Sequence, residues 1–306
     1  MASFLYSAFF ISFIVTALYI LVVDWVKKIY HNHFSSLYTE NEKRKLVIWQ
    51  KENEKVIFND EKRAKLIEEY NRLKDEFDFK YRKGELLCIL PSTFLFLLIL
   101  CCVLIKLGNN LEYDFYQYLI HNECSNIFRH FWKSFIVFMI NLILYSGYLI
   151  QLIIGNEEMK SKDLIISFME YFYGPTIEEV IYRGIIFNLF RMEKYSNIQS
   201  ALISSLIFGV SHLRHFFDYQ YEPSKKVMII FQTIYTTLFG LYTSYAYSYG
   251  ESLLAPILLH MTCNYLQMPR LYYLQDEDVT KHQRFIISFT YIIGIVSFII
   301  LLFIFN

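Results

Sequence analysis

With 55% hydrophobic and 19% aromatic residues and a mean hydropathy of +0.30, the 306-residue chain has the composition of a membrane protein. Its 29 Lys and Arg balance its 29 Asp and Glu, so no net charge attracts nucleic acid, and that function class is excluded. The five cysteines (Cys88, Cys101, Cys102, Cys124 and Cys263) form no C-x-x-C pair, and neither a zinc ribbon nor a disulfide framework is written in their spacing.

A helix that crosses about 30 Å of hydrocarbon needs about 20 apolar residues. Phe4–Val23 is the first such run. It is too long for the apolar part of a signal peptide, has no basic leader and ends in Asp24-Trp25-Val26-Lys27-Lys28, so it reads as an anchor. Residues 24–85 then hold 28 of the 58 charged side chains. Residues 24–83 contain neither Gly nor Pro, and Leu66, Tyr70, Leu73 and Phe77 recur at helical spacing between charges. This predicts a charged helical arm, a hairpin or coiled coil, whose mixed charges chiefly face water. Lys27-Lys28 and Arg82-Lys83 at its two ends place the arm in the cytosol and the N-terminus across the membrane.

Seven further apolar stretches follow: Leu86–Leu107, Phe131–Ile154, Leu164–Phe190, Ile198–Phe217, Val227–Tyr249, Ser252–Gln267 and Phe285–Phe305. The expected fold is all-α, a polytopic integral membrane protein with about eight transmembrane helices and a charged cytosolic helical segment. Its expected divisions are a first transmembrane helix (1–23), the arm (24–85), transmembrane helices two and three (86–163) and a catalytic transmembrane core (164–306).

Ionisable groups inside such runs are costly unless paired or wet, which makes them the informative residues. In Leu164–Phe190, Gly174-Pro175 precedes Glu178-Glu179, and Pro175 suits the first turn of a helix that restarts there. Glu179 and Arg183, at i and i+4, form an expected structural ion pair. Glu178, about 100° round the helix from Glu179, is then left without a local partner, as a carboxylate available for proton transfer. In the next stretch Ser204, Ser205, Phe208, Gly209 and His212 share one face, its small residues permitting close helix packing; Arg214 and His215 stand a turn beyond. His260 and Asn264 share a face of the seventh stretch. A carboxylate, two imidazoles and an amide are the parts needed to activate water and stabilise an oxyanion in peptide hydrolysis. The same groups suit a transporter or scaffold that relays protons or binds an ion, and the two readings stay open at this level.

Glu178-Glu179-x-x-x-Arg183, Phe208-x-x-x-His212 and His260-x-x-x-Asn264, in this order in separate spans, resemble the three motifs of the CPBP intramembrane proteases. With Gly209-Val210-Ser211-His212, the run Phe231–Tyr242 and Ala255-Pro256, the chain is most similar to the type II CAAX prenyl endopeptidases, the Ras-converting group. The resemblance covers roughly residues 170–270, and the charged arm departs from the family pattern. It implies an enzyme of the endoplasmic reticulum membrane that removes the aaX tripeptide from prenylated CAAX proteins such as Ras-like small GTPases. It also implies that Glu178, with His212 beside it, activates water, and that His260 and Asn264 stabilise the oxyanion; Glu179 and Arg183 match the motif as structural support. One carboxylate and two histidines form a set that holds zinc, but the glutamate reading needs no metal and no cofactor is expected. A related intramembrane protease with another peptide substrate is the alternative within the superfamily.

Overall fold

The computed structural model describes residues 2–54, 60–110, 126–154, 163–214, 223–267, 271–276 and 279–304. Every regular element among them is helical. In chain order they are α1 (Ala2–Glu54), α2 (Asp60–Asn110), α3 (Ile127–Leu144), α4 (Ser146–Ile154), α5 (Leu164–Phe168), α6 (Gly174–Glu179), α7 (Asn188–Met192), α8 (Asn197–Ser211), α9 (Pro223–Gly250), α10 (Leu254–Leu266) and α11 (Lys281–Ile304). Among the described residues five helices are long and apolar enough to cross a membrane: Ala8–Asn32, Phe79–Leu104, Ile127–Leu144, Lys226–Gly250 and Lys281–Ile304. Asn197–Ser211 and Leu254–Leu266 are apolar but shorter. The chain is an all-α, multi-pass membrane protein.

Two compact units divide it, Met1–Thr16 with Val103–Asn306, and Ala17–Cys102. In the smaller unit α1 and α2 pack closely where glycine permits: a Cβ on Gly84 would lie 2.0 Å from the Tyr30 hydroxyl. The rings of Tyr81 and Tyr30 pack with centroids 5.2 Å apart and planes inclined at 59°, and the Tyr81 hydroxyl meets His31 Nδ1 at 2.8 Å. On the arm Glu76 and Lys80 pair at 2.8 Å in the favourable i, i+4 order, and the ammonium holds the exposed Glu76 carboxyl below its ordinary range. The arm's backbone is helical over residues 24–54 and 60–85, whereas the side chains of Leu66, Tyr70, Leu73 and Phe77 lie outside the described residues, as do Cys124 and His215.

The larger unit is built inside out relative to a soluble bundle. On α8 the buried face is Ser204, Ser205, Phe208 and Gly209, while Leu202, Leu206 and Val210 are exposed, an arrangement that suits a lipid surround. The small residues let α9 come close: Ser205 and Ser244 hydroxyls meet at 3.3 Å, and a Cβ on Gly209 would stand 1.8 Å from Thr237 Oγ1 and 2.9 Å from the Thr233 carbonyl. Gly209→Ala must therefore push α8 and α9 apart. We expect it to cost about 1–3 kcal/mol, the usual range for overpacking, read as a lowered unfolding temperature in detergent; an unchanged temperature would show that the crossing gives way freely.

Around this pair, α10 packs on α3, α6 and α9, and α11 packs on α3 and α4. Val137, Ala246, Ala255 and Leu259 form the core where α3, α9 and α10 meet. The stretch from Leu164 to Met192 has helical backbone throughout, but two parts are wound as π-helix, Met169–Tyr173 and Val180–Phe187. α6 lies between them with Pro175 in its first turn, where the missing N–H costs little.

Candidate active site

Glu179 and Arg183 are both fully buried. Arg183 Nη1 donates to Glu179 Oε1 at 3.2 Å and lies 3.1 Å from Oε2, while Nη2 donates to the Gly240 carbonyl on α9 at 3.0 Å. The guanidinium also sits 4.8 Å above the Phe208 ring. A buried charge pair needs such additional contacts to offset its desolvation, and this one ties α6, its following π segment, α8 and α9 together.

Glu179 has a second partner that helical spacing gave no sign of. His260, from α10, places Nδ1 2.7 Å from Glu179 Oε1. An imidazole Nδ1–H donating to a carboxylate fixes the ring's orientation. The other ring nitrogen, Nε2, faces Glu178 Oε2 at 3.8 Å. Adjacent carboxylates on α6 thus flank one imidazole, and Glu178 does not point away from the pair as a free-standing α-helix suggested. The two differ in solvation, with Glu179 at 0% and Glu178 at 25% side-chain exposure. At 3.8 Å the Glu178–His260 gap exceeds a direct hydrogen bond.

His212 follows the end of α8, where its backbone caps the helix. Its Nδ1–H donates to the Phe208 carbonyl at 3.0 Å, which leaves Nε2 with the lone pair in the neutral ring. Phe208 links the two histidines: its ring centroid is 5.0 Å from that of His212 and 6.1 Å from that of His260, edge to face in both cases. Tyr182 and Arg183 cover further parts of the same ring. Phe239, on α9, closes the other side of His260 with centroids 5.1 Å apart.

Asn264, one turn beyond His260, donates through Nδ2 to the Glu170 carbonyl at 3.0 Å, in the first π segment. The amide has a second hydrogen, and Asn264 lines a cavity of about 470 Å³ with Glu170, Tyr235 and Cys263. In that wall Tyr235 Oη lies 2.9 Å from Cys263 Sγ. Glu178, Glu179 and His260 are therefore in direct contact or close to it, His212 joins them through Phe208, and Asn264 stands in the wall of the adjoining cavity. Among the described residues no group of three His, Cys, Asp or Glu is arranged as a metal-ligand set.

Residues 160–266 match the family model described as Type II CAAX prenyl endopeptidase Rce1-like. The chain is 29% identical over 112 residues to the Probable CAAX prenyl protease 2 of Schizosaccharomyces pombe, a stretch covering 35% of this chain and 41% of that protein. To CAAX prenyl protease 2 of Arabidopsis thaliana it is 25% identical over 138 residues (44% and 42%), and to that of Saccharomyces cerevisiae 32% over 113 residues (34% and 36%). The chain thus spans well under half the length of these relatives. No solved structure matches it significantly. The segment similar to the Rce1-like type II CAAX prenyl endopeptidases, residues 160–266, is the one that carries Glu178, Glu179, Arg183, His212, His260 and Asn264.

Proposed function

We propose that this chain is an intramembrane endopeptidase of the endoplasmic reticulum that removes the C-terminal aaX tripeptide from prenylated CAAX proteins, Ras-like small GTPases among them. The observation that carries this reading is the imidazole of His260 held between a buried carboxylate and a partly exposed one, inside the segment that matches the Rce1-like model.

Glu178 is the base. It takes a proton from a water whose oxygen attacks the carbonyl carbon of the prenylated cysteine, with His212 Nε2 as the second acceptor near that water. The carbonyl oxygen gains the negative charge. His260, held by Glu179 at Nδ1, turns its other ring nitrogen toward that oxyanion as a donor, and Asn264 offers the amide hydrogen not used by the Glu170 carbonyl. The proton held by Glu178 then passes to the leaving amine as the C–N bond breaks. Glu179 and Arg183 act on the reaction only through His260, as positioning residues. No step in this sequence needs a metal.

Purified protein given a farnesylated CAAX peptide should release the tripeptide, and should do so after zinc has been removed with a strong chelator. No release in the presence of the prenyl group would overturn the assignment. Stoichiometric zinc that tracks activity would overturn the metal-free mechanism. Asn264→Ala should lower kcat about 10²–10³-fold, the usual loss for one oxyanion donor, with KM changed far less. A rise in KM at constant kcat would move Asn264 from the oxyanion to ground-state binding.

A further inference from the structure

An apolar groove of about 580 Å³ lies between α3, α9 and α11, on the lipid-facing side of the larger unit. More than half of its lining residues are aromatic, and Leu238 and Phe303 at its edges are 61% and 78% exposed, so it opens where hydrocarbon would be. One end is continuous with the candidate site. Tyr235 belongs to the walls of both the groove and the Asn264 cavity, and Phe239, a groove residue one turn on, packs its ring against His260. From Tyr235 to Tyr245 the groove follows ten residues of α9, about 15 Å at 1.5 Å per residue.

We propose that this groove holds the isoprenoid chain of the substrate, and that Tyr235 is the divider between the lipid and the peptide portions. The choice of occupant rests on the endopeptidase reading. The groove is apolar and the cavity beyond Tyr235 has a polar side, so a molecule with an apolar chain and a peptide joined at one cysteine matches the change in chemistry along the path. A chain entering from the bilayer between α9 and α11 reaches Tyr235 first with its cysteine end, which brings the cysteine carbonyl to the side of the wall where Asn264 and Cys263 stand. The Tyr235 hydroxyl, held at Cys263 Sγ, fixes the ring across that junction. Tyr235 is thus a specificity-determining residue: its ring sets where the lipid stops and the scissile peptide begins.

The test uses the full chain in lipid nanodiscs and a farnesylated CAAX peptide with a diazirine on its terminal isoprene unit. Light-induced labelling is expected at the end of the groove away from Tyr235, at Tyr242, Tyr245 or Phe298, saturable and competed by unlabelled farnesylated peptide. Leu238→Trp, at a lipid-exposed position that tolerates bulk, should raise KM for the farnesylated peptide at least tenfold with kcat within about twofold. Tyr235→Ala should lengthen the chain that is accepted, shifting the kcat/KM ratio from farnesyl toward geranylgeranyl peptides. Cleavage with labelling confined to residues off the groove would overturn the inference, as would labelling competed equally by ordinary phospholipid. Saturable, prenyl-specific labelling of the groove without any cleavage would leave the groove assignment standing and remove the endopeptidase reading instead.

Discussion

Glu178→Ala is expected to bring tripeptide release to background while the protein still inserts and folds. The side chain is one-quarter exposed and its ion-pair partner among the described residues, His260 Nε2, is 3.8 Å away, so truncation breaks no short hydrogen bond among them. Its loss removes the group that takes the water proton, and general acid–base catalysis of this kind contributes about 10²–10⁴-fold. Single-turnover release of the tripeptide, with the unfolding temperature measured on the same preparation, separates the two effects. Glu178→Gln should be as inactive as the alanine variant, because the amide has no basic oxygen of useful pKa. Near-normal turnover in either variant would assign the base elsewhere.

The second large effect is on stability. Arg183→Ala leaves the Glu179 carboxylate at 0% exposure with His260 as its remaining partner among the described residues, and removes one of the donors to the Gly240 carbonyl. Breaking a buried ion pair from one side costs about 3–5 kcal/mol, which is a large share of the stability of most folds. Glu179→Ala strands the guanidinium in the same way. The double variant should be more stable than the sum of the two losses predicts, because neither charge is then left alone. Unfolding temperatures or populations of folded protein in detergent, combined as a double-mutant cycle, give the coupling; strict additivity would undo the pair's structural role. The double variant has one further expected property. With Glu179 gone, His260 loses the acceptor of its Nδ1–H, so turnover should stay low even where folding is restored.

The helical character of the chain, the apolar runs and the Glu179–Arg183 pair could be read from spacing alone. So could the small-residue face of α8, because a 3.6-residue period places Ser204, Ser205, Phe208 and Gly209 together whatever the tertiary structure. Contacts between helices were beyond that reach. Nothing local to Glu179 indicates that an imidazole 81 residues away meets it at 2.7 Å, and the structural label given to Glu179 from its i, i+4 partner overlooked the contact that ties it to the chemistry. The same limit applied to Phe208. Its spacing to His212 was visible, but its position against both histidines, Tyr182 and Arg183 depends on how α6, α8 and α10 converge. Tyr235 was legible only as one aromatic residue in an apolar run; its place between two cavities comes from the packing of α9 against α10 and α11.

Helical-wheel reasoning also presumes a constant angle per residue, and Val180–Phe187 does not keep it. A π-wound stretch carries extra residues for its rise, so the surfaces before and after it are out of phase by an amount set by how many residues it contains. On one side of this stretch are Glu178 and Glu179, turned toward α10; on the other is Asn188, whose amide donates to the Gly184 carbonyl at 2.8 Å and to the Tyr247 hydroxyl on α9 at 2.7 Å. The number of residues between them therefore works as a torsional setting. Deleting one residue within Val180–Phe187 would let the stretch rewind at the tighter α-helical angle, which takes up much of the missing turn and keeps Asn188 near Tyr247, whereas a deletion in an α-wound helix would swing everything beyond it by about 100°. Loss of one residue from this stretch, away from Arg183, should accordingly be milder than loss of one residue from α8.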